Sequence, residues 1–567
     1  MRIDESRRLT GPNLFSGLPG AICDVEVEPE AQSRLIEVWR EEVTRLLEAV
    51  GWSDSRMFTR QHATGVSLVM SAPIDCLYAA TDVNEAAFET ARDRIEEKTP
   101  REFERVVERL KDLIDKEANS KLVALASEAA DHQVPFLSDD DDVSLGYGAK
   151  ARLWRSDQVP EVSGLEWESY GSFGDVPVAL VTGTNGKSTT VRLAASIIAA
   201  SGRTCGVTST DYIRVGDEVI DTGDYSGPGG ARQLLRHKNT EVALLEVARG
   251  GMLRRGLGVT HADAALITNV AADHLGEYGI HTVPELRDAK FIVRRGLASD
   301  QPLILNADDE GVVQYAKALE DYRIIWFSED AGNPIVVDHF AGGGVAFVVA
   351  GNILCRLDDG VQHDVVHVES IPVTLGGSAR HNVQNALAAA ALGYALGCAD
   401  NAIRDGLIQF KGGQDDNPGR GNFYEGNGVR AVVDFAHNEH GLRAMASTIA
   451  AIPAERRLVL MGQAGDRSDE LIRGLTLAAL EANPDHLVIC QLPGYERGRE
   501  PDAVQRLIQQ VAIEAGVPES AMTLADSPID GTRFALDWAE EGDLLLILAL
   551  TQRGPCTRMV ERALTAD

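Results

Sequence analysis

The stretch VTGTNGKSTT, residues 181–190, decides the fold of the central part of this chain. A short apolar strand runs into a glycine-rich turn and then into a helical pattern that begins at Lys-Ser. In such a turn the glycines let the backbone curl, so that its N–H groups point at phosphate oxygens. A lysine charge there suits the β- and γ-phosphates, and a serine hydroxyl suits Mg²⁺. We therefore predict a nucleoside triphosphate site made by Gly183, Thr184, Asn185, Gly186, Lys187, Ser188 and Thr189.

The loop is a shortened form of the common P-loop. The usual pattern has a glycine five positions before the second glycine, and here that position is Val181. The short form GTNGKS is therefore not typical of GTPases or motor ATPases.

Length and charge limit the class of protein. A chain of 567 residues predicts three or four domains, each with room for a core. The formal net charge of −32 argues against a nucleic-acid-binding surface. The same charge is compatible with a cationic amino-acid substrate, and equally with simple solubility.

Cysteine usage and hydropathy point to the cytoplasm. The seven cysteines are scattered and form no C-x-x-C pair, so we expect buried thiols in a reducing compartment. The N-terminus lacks the apolar segment of a signal peptide. The longest strongly apolar run, residues 544–550, is too short to cross a bilayer. We expect a soluble cytoplasmic protein with no membrane partner.

The periodicity along the chain predicts an α/β protein of three domains. Residues 1–165 have an α+β pattern, residues 166–417 a mostly parallel sheet around the P-loop, and residues 418–567 a Rossmann-like unit. The predicted helical regions of the first domain are 35–50 and 85–125, and 66–70 is its candidate strand. The later candidate strands are 178–181, 242–245, 264–268, 303–306, 345–349, 364–368, 429–434, 457–461, 486–491 and 544–548.

Polar residues follow several of these strands in a fixed order. The motifs are LLEVARGG, TNVAADHLG, LRDAK, LNADD, HNVQNALAA, PGR and DFAHN. They supply, in turn, Glu246, His274, Lys290, Asn306, Asn382 with Asn385, Arg420, and Asp434 with His437. Loops at the carboxyl ends of strands are where parallel sheets bind ligands.

The ordered set GTNGKST, LEVARGG, TNVAADHLG, LNADD, HNVQNALAA, PGR and DFAHN resembles the Mur ligase family, which includes peptidoglycan amino-acid ligases and folylpolyglutamate synthetase. Within that family, ARGGMLRRGLG, GDYSGP and RGRE resemble the Mur-like half of cyanophycin synthetases. RRLTGPNLF and LGYGAKAR are similar to the N-terminal domain of those enzymes. The resemblance implies a three-domain Mur-ligase-like fold, preceded here by an acceptor-binding domain, and commonly a homo-oligomer.

One departure from that pattern is large. In cyanophycin synthetases an ATP-grasp domain lies between the N-terminal domain and the Mur-like half. Here only residues 153–177 separate the two. We therefore expect no repetitive backbone polymerisation by this chain alone, and a separate ATP-grasp protein is a candidate partner.

The resemblance implies ATP-dependent formation of an amide bond. The γ-phosphoryl group of ATP would activate an acceptor carboxylate as an acyl phosphate, and the amine of an amino acid, arginine or another basic one, would displace phosphate. Lys187 and Arg420 would stabilise the transferring group, and His437 would lie near it after domain closure. Asn382 and Asn385 would contact adenine, and Asp434 the ribose.

The resemblance also implies two Mg²⁺ sites. Ser188 would bind one ion, and Glu246 with His274 the other. In most Mur ligases the lysine that corresponds to Lys290 is carbamylated, which turns a cation into a carboxylate-like ligand. A nucleotide-binding scaffold without catalysis stays as the alternative outside the enzymes.

Three charged groups carry no clear role in the sequence. Arg249, Arg254 and Arg255 either bind an acidic acceptor or lie on the surface. The acidic turn at residues 139–142 is expected to face solvent, and residues 466–470 hold carboxylates that are weak candidates for recognising a cationic amine.

Overall fold

Four β-sheets organise residues 1–414 and 416–565, which are the residues described by this computed structural model. The first sheet is antiparallel, with the strand order Arg2–Leu9, Gly20–Glu26, Gly65–Ser71 and Met57–His62. The helices Pro29–Val50 and Leu77–Ile95 cover one face of it and bury Trp39 and Phe88 in their shared core. The helices Phe103–Glu117 and Ser120–Asp131 follow.

A small antiparallel sheet leads from this region to the P-loop strand. Its strands are Phe136–Ser138, Asp142–Leu145 and Arg152–Arg155. Between Arg152–Arg155 and the P-loop strand the chain forms three short 3₁₀ turns, at Ser156–Gln158, Val162–Gly164 and Trp167–Tyr170.

The central sheet carries the P-loop in the middle of its parallel part. Its strand order is Glu218–Thr222, Tyr212–Val215, Cys205–Thr208, Val242–Glu246, Val178–Thr182, Ala264–Ile267, Pro302–Asn306, Arg323–Ser328, Val345–Ala350, Ile353–Asp358 and Val361–His367. The strands from Cys205–Thr208 to Val345–Ala350 are parallel, and those at the two edges are antiparallel.

Helices bury both faces of this sheet. Leu180 and Val181 are adjacent in sequence but belong to separate cores on opposite faces, because side chains alternate along a strand. Burial on both faces explains why these strands are continuous apolar runs. The helices are Lys187–Ala200, Pro228–Leu235, Arg249–Arg255, Val283–Lys290, Glu310–Ala316, Pro334–Ala341, Arg380–Ala395 and Asp400–Gln409.

The last sheet has a parallel core with one antiparallel edge. Its order is Asn422–Gly426, Val429–Asp434, Leu544–Leu548, Arg457–Met461, His486–Cys490 and Met522–Ala525. The helices Glu439–Ala451, Asp469–Leu480, Ala503–Glu514, Pro528–Trp538 and Arg553–Thr565 pack on its faces.

The predicted α/β fold class is confirmed, and the predicted strands agree with the observed ones to within a few residues. The helical region predicted over residues 85–125 belongs to three helices instead. Pro100 lies in the first break, and Asn119 caps the last helix by accepting a hydrogen bond from the Leu122 N–H. All seven cysteines are buried with free thiols, as expected. Among the described residues no helix has the length and apolarity to cross a bilayer.

Candidate active site

The P-loop is curled as tightly as its glycines allow. Gly183 and Gly186 have φ angles of +149° and +83°. A Cβ atom on Gly183 would lie 1.8 Å from the Thr268 hydroxyl, and one on Gly186 would lie 2.2 Å from the Asn385 side-chain oxygen. No side chain fits at either position, so the sequence requirement for glycine is steric as well as conformational.

The neighbouring parallel strand supports the loop. The N–H groups of Thr184 and Asn185 donate to the backbone and side-chain oxygens of Asn269, each at 2.9 Å. The Thr268 hydroxyl donates to the Asn185 carbonyl at 2.6 Å. These contacts hold the loop ahead of the helix Lys187–Ala200, whose N-terminus attracts anions.

Lys187 is half-buried against its own loop. Its ammonium group donates to the Gly183 and Thr184 carbonyls, each at 3.0 Å. Burial lowers the pKa of Lys187, and the carboxylates of Glu246 and Asp273 act in the opposite direction. The lysine is thus positioned between the loop and two acids, where an incoming phosphate would meet it.

Ser188 and Glu246 form a pair that fits a hard cation. The Ser188 hydroxyl donates to Glu246 Oε1 at 3.1 Å. Glu246 is 2% exposed, and its Oε2 has no hydrogen-bond partner among the described residues. A buried carboxylate oxygen without a partner is costly unless a cation or donor arrives. Oxygen donors of this kind are the ligands that Mg²⁺ prefers.

A second group of metal-binding type lies beside this pair. Ligand atoms of Asp273, His274 and His437 all lie within 4.8 Å of one another. Asp273 is 3.8 Å from His437 Nε2 and 3.9 Å from His274 Nε2. Burial acts to raise the pKa of Asp273, but the nearby His437, His274 and Lys187 lower it strongly. Asp273 therefore stays ionised, and the group fits a divalent cation.

Lys290 ends a helix that is well defined at its start. Thr282 and Glu285 form a reciprocal capping box, and Lys290 lies on the buried face of the last turn. Its side chain is 3% exposed and makes no hydrogen bond or ion pair within residues 1–414 and 416–565. Burial and repulsion from Lys187 lower the pKa of Lys290 well below its ordinary value.

The two asparagines of HNVQN lie together above the P-loop. Asn385 Nδ2 donates to Asn382 Oδ1 at 3.0 Å, and Asn382 Nδ2 donates to the Val373 carbonyl at 2.9 Å. From the last sheet, Asp434 accepts a 2.7 Å hydrogen bond from the Ala436 N–H. These three side chains border the same cavity as the P-loop.

Arg420 reaches from the connection between the two α/β units to the first Mg²⁺-type pair. Its guanidinium donates to Thr210 Oγ1 at 3.0 Å, and that hydroxyl lies 3.4 Å from Ser188 Oγ. Asp211 faces Arg420, Arg192 and Arg553. Burial acts to raise the pKa of Asp211, but these arginines hold that pKa below its usual range.

The last sheet closes over the P-loop directly. Asn185 Nδ2 donates to Asn438 Oδ1 at 3.1 Å, and Asn438 Nδ2 donates back to Asn185 Oδ1 at 3.0 Å. Asn185 Nδ2 also lies 2.9 Å from His440 Nδ1. Arg467 reaches across in the same way to His274 Nε2, at 3.1 Å.

These groups surround one cavity of about 1560 Å³. Every residue predicted as catalytic, nucleotide-binding or metal-binding borders it, while the individual roles stay predictions. Its wall also contains residues that the sequence did not single out, namely Thr210, Asp211, Asp224, Asp273, His440 and Arg553. Asp273 directly precedes His274 in the sequence. An acidic residue next to a histidine after a predicted strand was therefore the signal that could have identified Asp273 as a site residue.

One expectation about acidic segments holds in part and another needs correction. Asp140 and Asp141 are exposed to solvent, as expected, although Asp140 also pairs with Arg8 at 2.5 Å, whereas Asp139 is only 30% exposed and pairs with Arg236 at 2.6 Å. In the segment 466–470, Asp469 pairs with Arg499. The carboxylates of this segment, Asp466, Asp469 and Glu470, do not border the cavity.

Family comparisons agree with this geometry. Residues 181–393 match the family model described as Mur ligase middle domain, and residues 419–549 match that of the Mur ligase glutamate ligase domain. The two models together span more than half of the chain. The chain belongs to the Mur ligase family.

Individual relatives share only part of their length with this chain. A cyanophycin synthetase of Nostoc sp. is 34% identical over 66% of this chain and 41% of its own length. The chain thus spans about two fifths of that relative. A UDP-N-acetylmuramoyl-L-alanyl-D-glutamate–2,6-diaminopimelate ligase of Listeria monocytogenes is 26% identical over 65% of this chain and 72% of its own length.

A solved structure shows the same fold. It is a bifunctional folylpolyglutamate synthase/dihydrofolate synthase with Mn, AMPPNP and L-glutamate bound. It superposes with a TM-score of 0.50 at 20% identity and covers 68% of this chain and 89% of its own.

Proposed function

We propose that this protein is an ATP-dependent ligase that joins the amine of an amino acid to an acceptor carboxylate. One observation carries the proposal: a single cavity combines a phosphate-binding loop, a carboxylate–histidine cluster of metal-binding type and the cations Lys187 and Arg420. Phosphoryl transfer needs these elements together, because charge builds up on the transferring group.

ATP would lie across the boundary of the two α/β units. The backbone from Gly183 to Thr189 would hold its phosphates, and Asn382 with Asn385 would contact adenine. Asp434 would bind the ribose, so the nucleotide would be fully held only when the last sheet has closed over the loop.

The residues present fit two divalent cations. Ser188 and Glu246 would hold one, supported by the unpartnered Glu246 Oε2. Asp273 and His274, with Lys290, would hold the second. When bound, Mg²⁺ would neutralise charge on the β- and γ-phosphates.

Lys290 would join the second site as a carbamate. A lowered pKa increases the fraction of the neutral amine at a buried lysine, and the neutral amine can attack CO₂. An N–C bond forms and one proton leaves to solvent, which gives an anionic oxygen donor. Among the described residues no carboxylate lies within 4.0 Å of the Lys290 ammonium, and the opposing effect of Asp273 on its pKa is smaller than that of burial and Lys187, which supports this assignment.

The reaction would proceed in two displacements. An acceptor carboxylate oxygen attacks the γ-phosphorus, the bond to the β–γ bridging oxygen breaks and ADP leaves. The neutral amine then attacks the acyl carbon of the acyl phosphate, the C–O bond to the phosphoryl group breaks, inorganic phosphate leaves and the nitrogen loses one proton to solvent. Lys187 and Arg420 would stabilise the phosphoryl oxygens, and His437 would contact them in the closed form.

The test is release of phosphate from ATP and Mg²⁺ across a matrix of amino acids and carboxylate acceptors, followed by mass spectrometry of the product. Phosphate release that requires both an amine and an acceptor supports the proposal. ATP binding without turnover for every pair would favour the scaffold alternative. The expectation of a basic amino acid is tested in the same assay by comparing arginine with neutral amino acids, and that of a separate ATP-grasp partner by adding such a protein.

A further inference from the structure

A group of arginines forms one wall of the cavity, between the first sheet and the central sheet. We call Arg8, Arg232, Arg254 and Arg255 the arginine cluster. Arg8 lies on the strand Arg2–Leu9, Arg232 on the helix Pro228–Leu235, and Arg254 and Arg255 on the helix Arg249–Arg255. All four border the same cavity as Lys187.

Hydrogen bonds between the two parts of the chain order this wall. The Thr10 N–H donates to the Arg255 carbonyl at 2.7 Å. Arg232 donates to the Thr10 hydroxyl at 3.0 Å, and Arg255 donates to the Arg8 carbonyl at 3.4 Å. The guanidinium groups of Arg232 and Arg255 are thus held by uncharged oxygens at a junction that the N-terminal sheet completes.

Three of the four arginines lack a direct ion pair with another described residue, although Asp139 and Asp140 lie near enough to Arg232 to oppose the lowering of its pKa by burial. Arg8 pairs with Asp140 at 2.5 Å, but Arg232, Arg254 and Arg255 have no carboxylate within 4.0 Å in the described part of the chain. Burial lowers the pKa of Arg255, and the neighbouring Arg8 and Arg254 lower it further. Holding like charges together in a half-buried wall costs free energy that a bound anion would offset.

The surroundings make this cluster unusual. The chain carries 86 acidic against 54 basic residues, so unpaired arginines are not a consequence of composition. Arginine binds carboxylates and phosphates through two parallel hydrogen bonds, which suits recognition of a second anionic group on a substrate.

We propose that the arginine cluster docks anionic groups of the acceptor that lie apart from the carboxylate that reacts. This inference rests on the proposed ligase function. The acceptor would be a multiply anionic molecule, such as an oligocarboxylate, that reaches from the P-loop to the N-terminal sheet. The N-terminal residues Arg8 and Thr10 would thereby complete the substrate site, with Arg232 and Arg255 as its specificity determinants.

Equilibrium binding by calorimetry tests the inference on the full chain without turnover. In the presence of AMPPNP and Mg²⁺, the probes are a triaspartate peptide, a triserine peptide and UDP. Triaspartate is expected to bind, and Arg232→Gln and Arg255→Gln are each expected to weaken its binding about tenfold or more. Arg255→Lys is expected to recover part of the loss because it restores the charge. The control is Arg404→Gln, which changes an exposed arginine on the helix Asp400–Gln409.

AMPPNP binding with parent affinity shows that each variant is folded. UDP binding that depends on Arg232 and Arg255 would support the anion site and show that phosphate groups can be the anions it binds. Triserine binding as tightly as triaspartate, parent affinity in both Gln variants, or binding of neither anionic probe would overturn the inference. Amine- and acceptor-dependent phosphate release with an uncharged acceptor would also overturn it while leaving the ligase proposal intact.

Discussion

The side-chain amides of Asn185 and Asn438 exchange two hydrogen bonds, at 3.1 and 3.0 Å, across the boundary between the central and the last sheet. Asn185 is part of the P-loop, and Asn438 begins the helix Glu439–Ala451. The pair joins the phosphate-binding loop to the last sheet at a point close to Asp273 and His437. We propose that it couples closure of the last sheet over the loop to assembly of the candidate active site.

Removal of this amide pair is expected to impair closure. Two uncharged hydrogen bonds contribute about 1–3 kcal/mol together, so Asn185→Ala should lower kcat/KM for ATP roughly tenfold. Asn438→Asp separates two roles, because it keeps an oxygen for the Gly441 N–H that Asn438 caps and loses the donor to Asn185. We expect Asn438→Asp to keep the Tm and to lose activity. Unchanged steady-state kinetics in both variants would show that the pair is irrelevant to turnover.

Glu246 is expected to control the requirement for Mg²⁺. Glu246→Gln keeps the shape and removes the negative charge, so the Mg²⁺ concentration for half-maximal phosphate release should rise about tenfold or more. The rise in Tm on adding Mg²⁺ and AMPPNP should shrink in parallel, because less ligand binds to the folded state. Glu218→Gln on the exposed edge strand is the matched control. A parent-like Mg²⁺ titration in Glu246→Gln would remove this residue from the metal site.

The contribution of Lys290 to activity is expected to depend on CO₂. Lys290→Ala should lower kcat by about 10²-fold, and added formate or acetate should restore part of it by supplying the missing oxygen donor. Neither anion should rescue Lys187→Ala, which lacks a cation instead. ¹³C NMR of protein in labelled bicarbonate should show a carbamate signal that Lys290→Ala lacks. Full activity in CO₂-depleted buffer would count against carbamylation.

Glu329 is expected to make folding pH-dependent. Its carboxyl group is 12% exposed, and burial raises its pKa to about 7, with Arg380 lowering it and Asp308 raising it. Between about pH 4.5 and pH 7 the folded state therefore binds more protons than the unfolded state, and stability falls as pH rises. Glu329→Gln should remove this slope and raise the free energy of unfolding at pH 8 by about 1–3 kcal/mol. Urea unfolding at pH 5 and pH 8 measures it, with Glu218→Gln as control; an equal slope in both variants would contradict the assignment.

The sequence predicted the parts of the site that are local in the chain. The P-loop could be recognised because its strand, glycines, lysine and serine follow one another directly in the sequence. Glu246, His274 and Asn382 could be recognised because each follows a strand or begins a helix within a family motif. The central and last sheets follow from apolar runs separated by helical periodicity.

Contacts between distant segments were not predictable in this way. Asn438 and Asn185 are 253 residues apart, and Arg553 and Asp211 are 342 residues apart. Nothing near either residue in the chain specifies its partner, because those contacts depend on how the sheets are placed. The same holds for the acidic turn at residues 139–142, whose partners Arg8 and Arg236 lie on other elements.

Transfer of oxygen tests the central claim most directly. An acceptor that supports phosphate release is prepared with ¹⁸O in its carboxylate groups, and the released phosphate is examined by mass spectrometry. If the carboxylate is activated as an acyl phosphate, the bridging oxygen leaves with the phosphoryl group, and each phosphate released gains one ¹⁸O atom. Phosphate without the label, formed together with an amide product, would contradict the proposed ligase chemistry at this P-loop.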